Sequence, residues 1–147
     1  MRQHNRFCRP THCKSFLVVL LLASFNLVGW AELPPYVYKE RQQQAPESLL
    51  IKVRSVQTRE TDETRRKRID VNVEAQVEQV IRSRTGLHAG DVIRIHYIHN
   101  DYKEPLIGPS EVPMLTKGQK CPAYLEMDTK QQMYVPAAGG YTFRDIN

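Results

Sequence analysis

Cys121, in "KGQKCPAYLE", and the pair His96 and His99, in "RIHYIHN", are the side chains of this sequence whose types could do chemistry together. A thiol beside an imidazole can serve as a nucleophile or as part of a soft metal site. The spacing favours neither. His96 and His99 are three residues apart, which suits one face of a helix, whereas on a strand an odd separation sends them to opposite faces. His88 belongs to a preceding turn. A Cys121 nucleophile would need a histidine folded onto it and a lowered thiol pKa. No "GxSxG", "HExxH" or glycine-rich phosphate loop is present, and the acids are spread along polar stretches. The chain is therefore expected to be non-catalytic, with no cofactor implied. The alternative is a metal- or thiol-dependent exported protein using Cys121 with His96 or His99.

Bases and aromatics are the candidate binding residues. Arg65, Arg66, Lys67 and Arg68 form a basic run, preceded by Glu60, Asp62 and Glu63 and followed by Asp70, Glu74 and Glu78. Single-strand nucleic-acid binders need a positive groove with aromatic platforms; this acidic surround without aromatics predicts no nucleic-acid partner. The run reads first as a solvated loop and second as an anion or polysaccharide contact. Tyr97, Tyr134 and Tyr141, with Tyr124 and Phe143, serve either as core and strand-pairing residues or as a half-exposed strip for a partner. The candidate binding set is Arg65, Arg66, Arg68, Tyr97, Tyr134 and Tyr141, and the candidate partner a protein or glycan.

The first 31 residues read as targeting sequence. Arg2, Arg6, Arg9 and Lys14 make a positive n-region; Phe16 to Phe25 form an apolar run too short to span a membrane. Gly29 and Ala31 fit a small-x-small cleavage site, giving a mature N-terminus at Glu32 and a secreted or periplasmic location without stable membrane insertion. An uncleaved anchor is the alternative. Four of the 21 bases but none of the 16 acids lie in this leader, so the formal charge of +5 falls to about +1 on cleavage. The basic pI thus says little about partners. Cys8 and Cys13 leave with the leader, and Cys121 then has no partner within its chain. It reads as a small, partly buried residue beginning a strand, with an intermolecular disulfide as the exception.

The remainder is one domain of strands. Residues 32–47 carry three prolines and a glutamine run and predict an extended, mobile lead-in. From Ser48, Leu49, Ile51 and Val53 alternate with polar residues, the period of a half-buried strand. "TRETDETRRKR" reads as a loop or hairpin tip. "IDVNVEAQVEQVIRSR" alternates strictly from Ile69 to Glu78, predicting a strand over a competing helical stripe, with a bulge near Gln79 to turn Val80 to the other face. "DVIRIHYIHN" predicts a third strand with Ile93, Ile95 and Tyr97 inward. "CPAYLEMD" and "QQMYVPA" predict a closing pair, and "AGGYTF" a final bend and edge segment. The expectation is an all-β, five-stranded Greek-key barrel over residues 48–147.

In strand character and spacing, "IDVNVEAQVEQVIRSRTGLHAGDVIRIHY" with "LTKGQKCPAYLEMDTKQQMYVPAAGG" resembles oligonucleotide/oligosaccharide-binding (OB) barrels, especially the netrin-like modules of secreted proteins. The resemblance implies an OB-like fold and an exported setting. It departs in lacking the family's disulfides and N-terminal cysteine, so no protease-inhibitor role carries over. The reading overall is an exported, non-catalytic binding or structural module of the cell envelope.

Overall fold

The computed structural model describes residues 32–104 and 108–146; the expected signal leader, with its expected cleavage site at Ala31, lies outside them. Helix α1 (Pro35–Gln44) is followed by strands β1 (Glu47–Asp62), β2 (Arg66–Ser83), β3 (Val92–Tyr102), β4 (Lys120–Asp128) and β5 (Met133–Pro136), then a 3-10 turn at Gly139–Tyr141. The strands close into a barrel in the order β1-β2-β3-β5-β4. β1, β2 and β3 form an antiparallel meander, β4 returns to lie beside β1, and β5 fits between β4 and a short parallel bridge to β3. The run β4-β1-β2-β3 is a Greek key. The fold is the all-β small barrel that the alternation predicts.

Side-chain period sets the core. Leu49, Ile51 and Val53 of β1 meet Val71, Val73, Ala75 and Val77 of β2 inside the barrel, all fully buried, while Lys52, Arg54, Asn72 and Glu74 face water. Three bulges bend the β1–β2 hairpin. Leu50 pairs with Gln79 and Ile51 with Val77, so Glu78 is the extra residue; this bulge lets Val80 join the core side, as the sequence predicts. A second bulge leaves Ile81 exposed, and a third, at Arg54, marks where β1 parts from β4.

Two stretches differ from expectation. "TRETDETRRKR" is mostly strand: β1 runs to Asp62 and β2 starts at Arg66, leaving a three-residue turn. Its polarity reports exposure rather than absence of a ladder, and pairs such as Glu60 with Lys67, at 3.1 Å, join the two strands. The lead-in contains α1 instead of an extended tail. Its prolines punctuate the helix: Pro35 stands in the first turn, where no donor is needed, and Pro46 follows the C-cap Ala45. Tyr38 and Gln42, one turn apart, are the helix's buried residues. Tyr38 stacks on Tyr141 with ring centroids 4.6 Å apart. Gln42 Nε2 donates to the carbonyls of Tyr141 and Arg144 at 2.8 and 2.7 Å. At the helix C-terminus Arg82 donates to the carbonyls of Ala45 and Gln42, which the helix itself leaves unpaired.

The segment "AGGYTF" is a bend, as expected, formed by the 3-10 turn and the turn after it, and it adds no strand to the sheet. Gly140 packs so tightly on Ser110 that a Cβ there would overlap the Ser110 side chain and carbonyl. Ser110 in turn donates to Glu32, which also accepts from Tyr38; the Ser110 hydroxyl holds the Glu32 pKa below the usual carboxylate value. Loop 108–116, the C-terminal turn and α1 therefore form one strap against the barrel. No helix among the described residues is long and apolar enough to cross a membrane.

Candidate functional site

The outer face of β1, β2 and β3 is where polar side chains are brought together. Register aligns Gln57 with Asn72 and Asn72 with His96; one step along, Ser55 aligns with Glu74 and Glu74 with Arg94. Because alternate residues share a face, these six side chains form two cross-strand rows. The extra residue Arg54 shifts the β1–β2 register just before Ser55, and such bulges bend a strand. A groove of about 280 Å³ is lined by Ser55, Gln57, Asn72, Glu74, Arg94 and Met133 together with Val73 and Ile95. Amides, a hydroxyl, a carboxylate and a guanidinium offer both donors and acceptors there. No aromatic ring lines the groove. Alongside it, Arg68 Nη2 lies 3.1 Å from Asp70 Oδ1, and His96 Nε2 lies 4.0 Å from the same oxygen.

The candidate residues from the sequence do not converge on one site. Arg65 is exposed at the hairpin tip, where its carbonyl accepts from the Lys103 backbone N–H. Arg66 Nε donates to Glu63 Oε2 at 2.7 Å, and that bond raises the guanidinium pKa further. Arg68 is engaged by Asp70. The basic run is thus largely neutralised by its own neighbours, as a solvated hairpin tip would be.

Tyrosines 97 and 134 are core residues and not a strip. Tyr97 is 5% exposed; its hydroxyl donates to the Pro113 carbonyl at 3.1 Å and accepts from the Leu115 N–H at 3.3 Å, and burial pushes its pKa up to about 12. Tyr134 is also 5% exposed, its hydroxyl 2.8 Å from Thr85 Oγ1. Tyr141 is half-buried between Tyr38 and the Arg144 guanidinium, which sits 3.8 Å from its ring centroid. Its surfaces are spent on the strap.

Cys121 is inward-facing on β4 and 5% exposed, with its thiol pushed up to about 11 by burial. A buried thiol held in its neutral form is poorly placed as a nucleophile or as a bridge to a second chain. His96 faces outward and His99 turns toward loop 108–116, where its Nδ1 lies 2.8 Å from the Val112 carbonyl. The opposite facing that the odd spacing predicts for a strand is what β3 shows. Among the described residues no three His, Cys, Asp or Glu side chains are grouped to hold a metal.

Sequence reasoning misses the groove because its residues are individually ordinary polar positions on three strands; the alternation places each on the outside, but the register that unites them is tertiary. It also misses Glu47, fully buried at the start of β1. Glu47 Oε1 accepts from the backbone N–H of Arg84 and Thr85 at 3.1 and 3.0 Å, fixing the turn after β2, while Oε2 has no hydrogen-bond partner among the described residues. No family model matches the chain, and neither a curated protein nor a solved structure matches it.

Proposed function

We propose that this protein is an exported, non-catalytic binding module of OB-like architecture that holds a protein partner in the cell envelope on the outer face of β1–β3. The observation that carries the reading is the concave groove over Ser55, Gln57, Asn72, Glu74 and Arg94, with donors and acceptors arranged in cross-strand rows. The barrel order β1-β2-β3-β5-β4 supports it, since OB barrels bind ligands over strands 2 and 3 and the adjoining loops. A protein suits this face better than a glycan or nucleic acid. Sugars and bases are commonly gripped by stacking on aromatic rings, and the groove lining has none. Alternating charges and amides instead match a polypeptide's mixed donors and acceptors. The leader, read as a cleaved signal, supports an encounter outside the cytoplasm.

Charge reversal at the centre of the face tests the proposal. Arg94→Glu is expected to weaken capture of the partner from native envelope by about tenfold or more, because it sets a second carboxylate beside Glu74. Lys39→Glu, on α1 and outside the groove lining, should leave capture unchanged. Equal capture by both variants would remove the face from the account.

A further inference from the structure

One row of the outer face carries charges that the protein itself leaves unmet. Of the three acids on β2, Asp70 is met by Arg68 at 3.1 Å and Glu78 by Lys120 at 2.8 Å, while Glu74 makes no side-chain hydrogen bond or ion pair among the described residues. Arg94, the one lysine or arginine of β3, stands directly opposite Glu74 and is likewise without a side-chain partner among the described residues. Opposite charges facing each other across two strands ordinarily pair. Here both side chains are exposed and line the groove instead.

The row continues past β3. Ile95 and Tyr134 form the parallel bridge between β3 and β5 and both are buried, so Arg94 and Met133, one residue earlier on each strand, lie side by side on the outer face. From Ser55 through Glu74 and Arg94 to Met133 the row therefore reads hydroxyl, carboxylate, guanidinium and thioether, one group from each of four neighbouring strands. Three inter-strand steps make it about 14 Å long, the span of about five residues of extended chain. Gln57 and Asn72 flank it with carboxamides, each able to donate to a peptide carbonyl and accept from a peptide N–H.

We infer that this row selects an extended segment of the partner by the order of its side chains: a basic one on Glu74, an acidic one on Arg94 and an apolar one on Met133, with the acid in the middle. This selectivity rests on the same face being the protein-binding surface proposed above, and names the segment that surface takes. Order matters because exchanging the base and the acid sets like charges against both Glu74 and Arg94. It holds whichever way the segment runs, since reversing base, acid, apolar keeps the acid between the other two.

Peptide titration, followed by the backbone amide chemical shifts of the isotope-labelled protein, tests this. The probes are two blocked pentapeptides of one composition, Lys-Ser-Glu-Ser-Leu and Glu-Ser-Lys-Ser-Leu. The first is expected to shift the amides of Asn72, Glu74, Arg94 and Ile95 at about tenfold lower concentration than the second. Glu74→Arg with Arg94→Glu keeps the net charge, and both side chains are exposed, so the double variant should fold as the parent does and reverse the preference. Met133→Gln should weaken the first peptide by about fivefold through lost apolar contact. Equal binding of the two peptides, binding of neither, a preference that the double variant keeps, or full-strength binding by Met133→Gln would overturn the inference. Loss of partner capture by Arg94→Glu alongside equal peptide binding would overturn the order and leave the face standing as the partner's seat.

Discussion

Cys121 shows how burial decides the fate of a reactive side chain. With its thiol pushed up to about 11 from a reference of 9.0, the thiolate fraction at pH 8 falls about a hundredfold, and the sulfur is shielded besides. Labelling by a disulfide reagent at pH 8 should therefore run at least about a hundredfold slower in the folded protein than in urea; comparable rates would show the thiol to be accessible. The same burial shapes alkaline stability. Cys121, and Tyr97 and Tyr124 pushed up to about 12, hold their protons in the fold at pH values where the unfolded chain has begun to lose them. Their raised folded pKa values contribute stability that is intact below about pH 9 and is lost as pH rises toward 11 to 12. Urea midpoints should fall over that window, and Cys121→Ala should flatten the first part of the fall. Gly140 makes a steric point at the same scale. Its backbone is ordinary, but Ser110 occupies the space of a Cβ, so Gly140→Ala should cost about 2 kcal/mol or more in urea unfolding. At Gly86, with φ +81° and open space around it, Ala should cost only about 1 kcal/mol of backbone strain.

Among the elements, α1 shows what the sequence hides. Pro35 and Pro46 are helix punctuation, yet three prolines and a polar run carry the signature of an extended tail, and the helix has no apolar stripe to contradict it. It is held by tertiary contacts: Tyr38 on Tyr141, Gln42 on two carbonyls, and Arg82 on the helix end. Gln42→Ala removes both donors and leaves their carbonyls unpaired, at an expected cost of about 1–2 kcal/mol. Proteolysis ahead of Glu47 should quicken with it; an unchanged cleavage rate would show the helix to be anchored elsewhere. The strands were legible for the opposite reason. Leu49, Ile51 and Val53, Val71 to Val77, and Ile93 to Tyr97 alternate because one face is buried, and that period is local. The hairpin extension to Asp62 and Arg66 was not legible, since both faces there are polar and alternation vanishes. The bulge beside Gln79 was, because Val80 breaks the phase.

For the whole molecule, the strand order turns scattered polar positions into a site. Gln57, Asn72 and Arg94 lie on different strands, and the barrel's register assembles them, so no local pattern marks them in the sequence as the tyrosines and the arginine run are marked. Tyr97 and Tyr134 belong to the buried core, and the outer rows stay at the surface, where the proposed partner would sit. The central claim is that this partner is a protein seated on the outer face, and site-specific photo-crosslinking in the native envelope addresses it most directly. A photoreactive side chain at Gln57, Asn72 or Arg94 is expected to trap one and the same protein, while one at Lys39 or Gln43 on α1 traps none of it. Crosslinks to that protein from α1 and not from the face, or no protein adduct from any of the three face positions, would contradict the account.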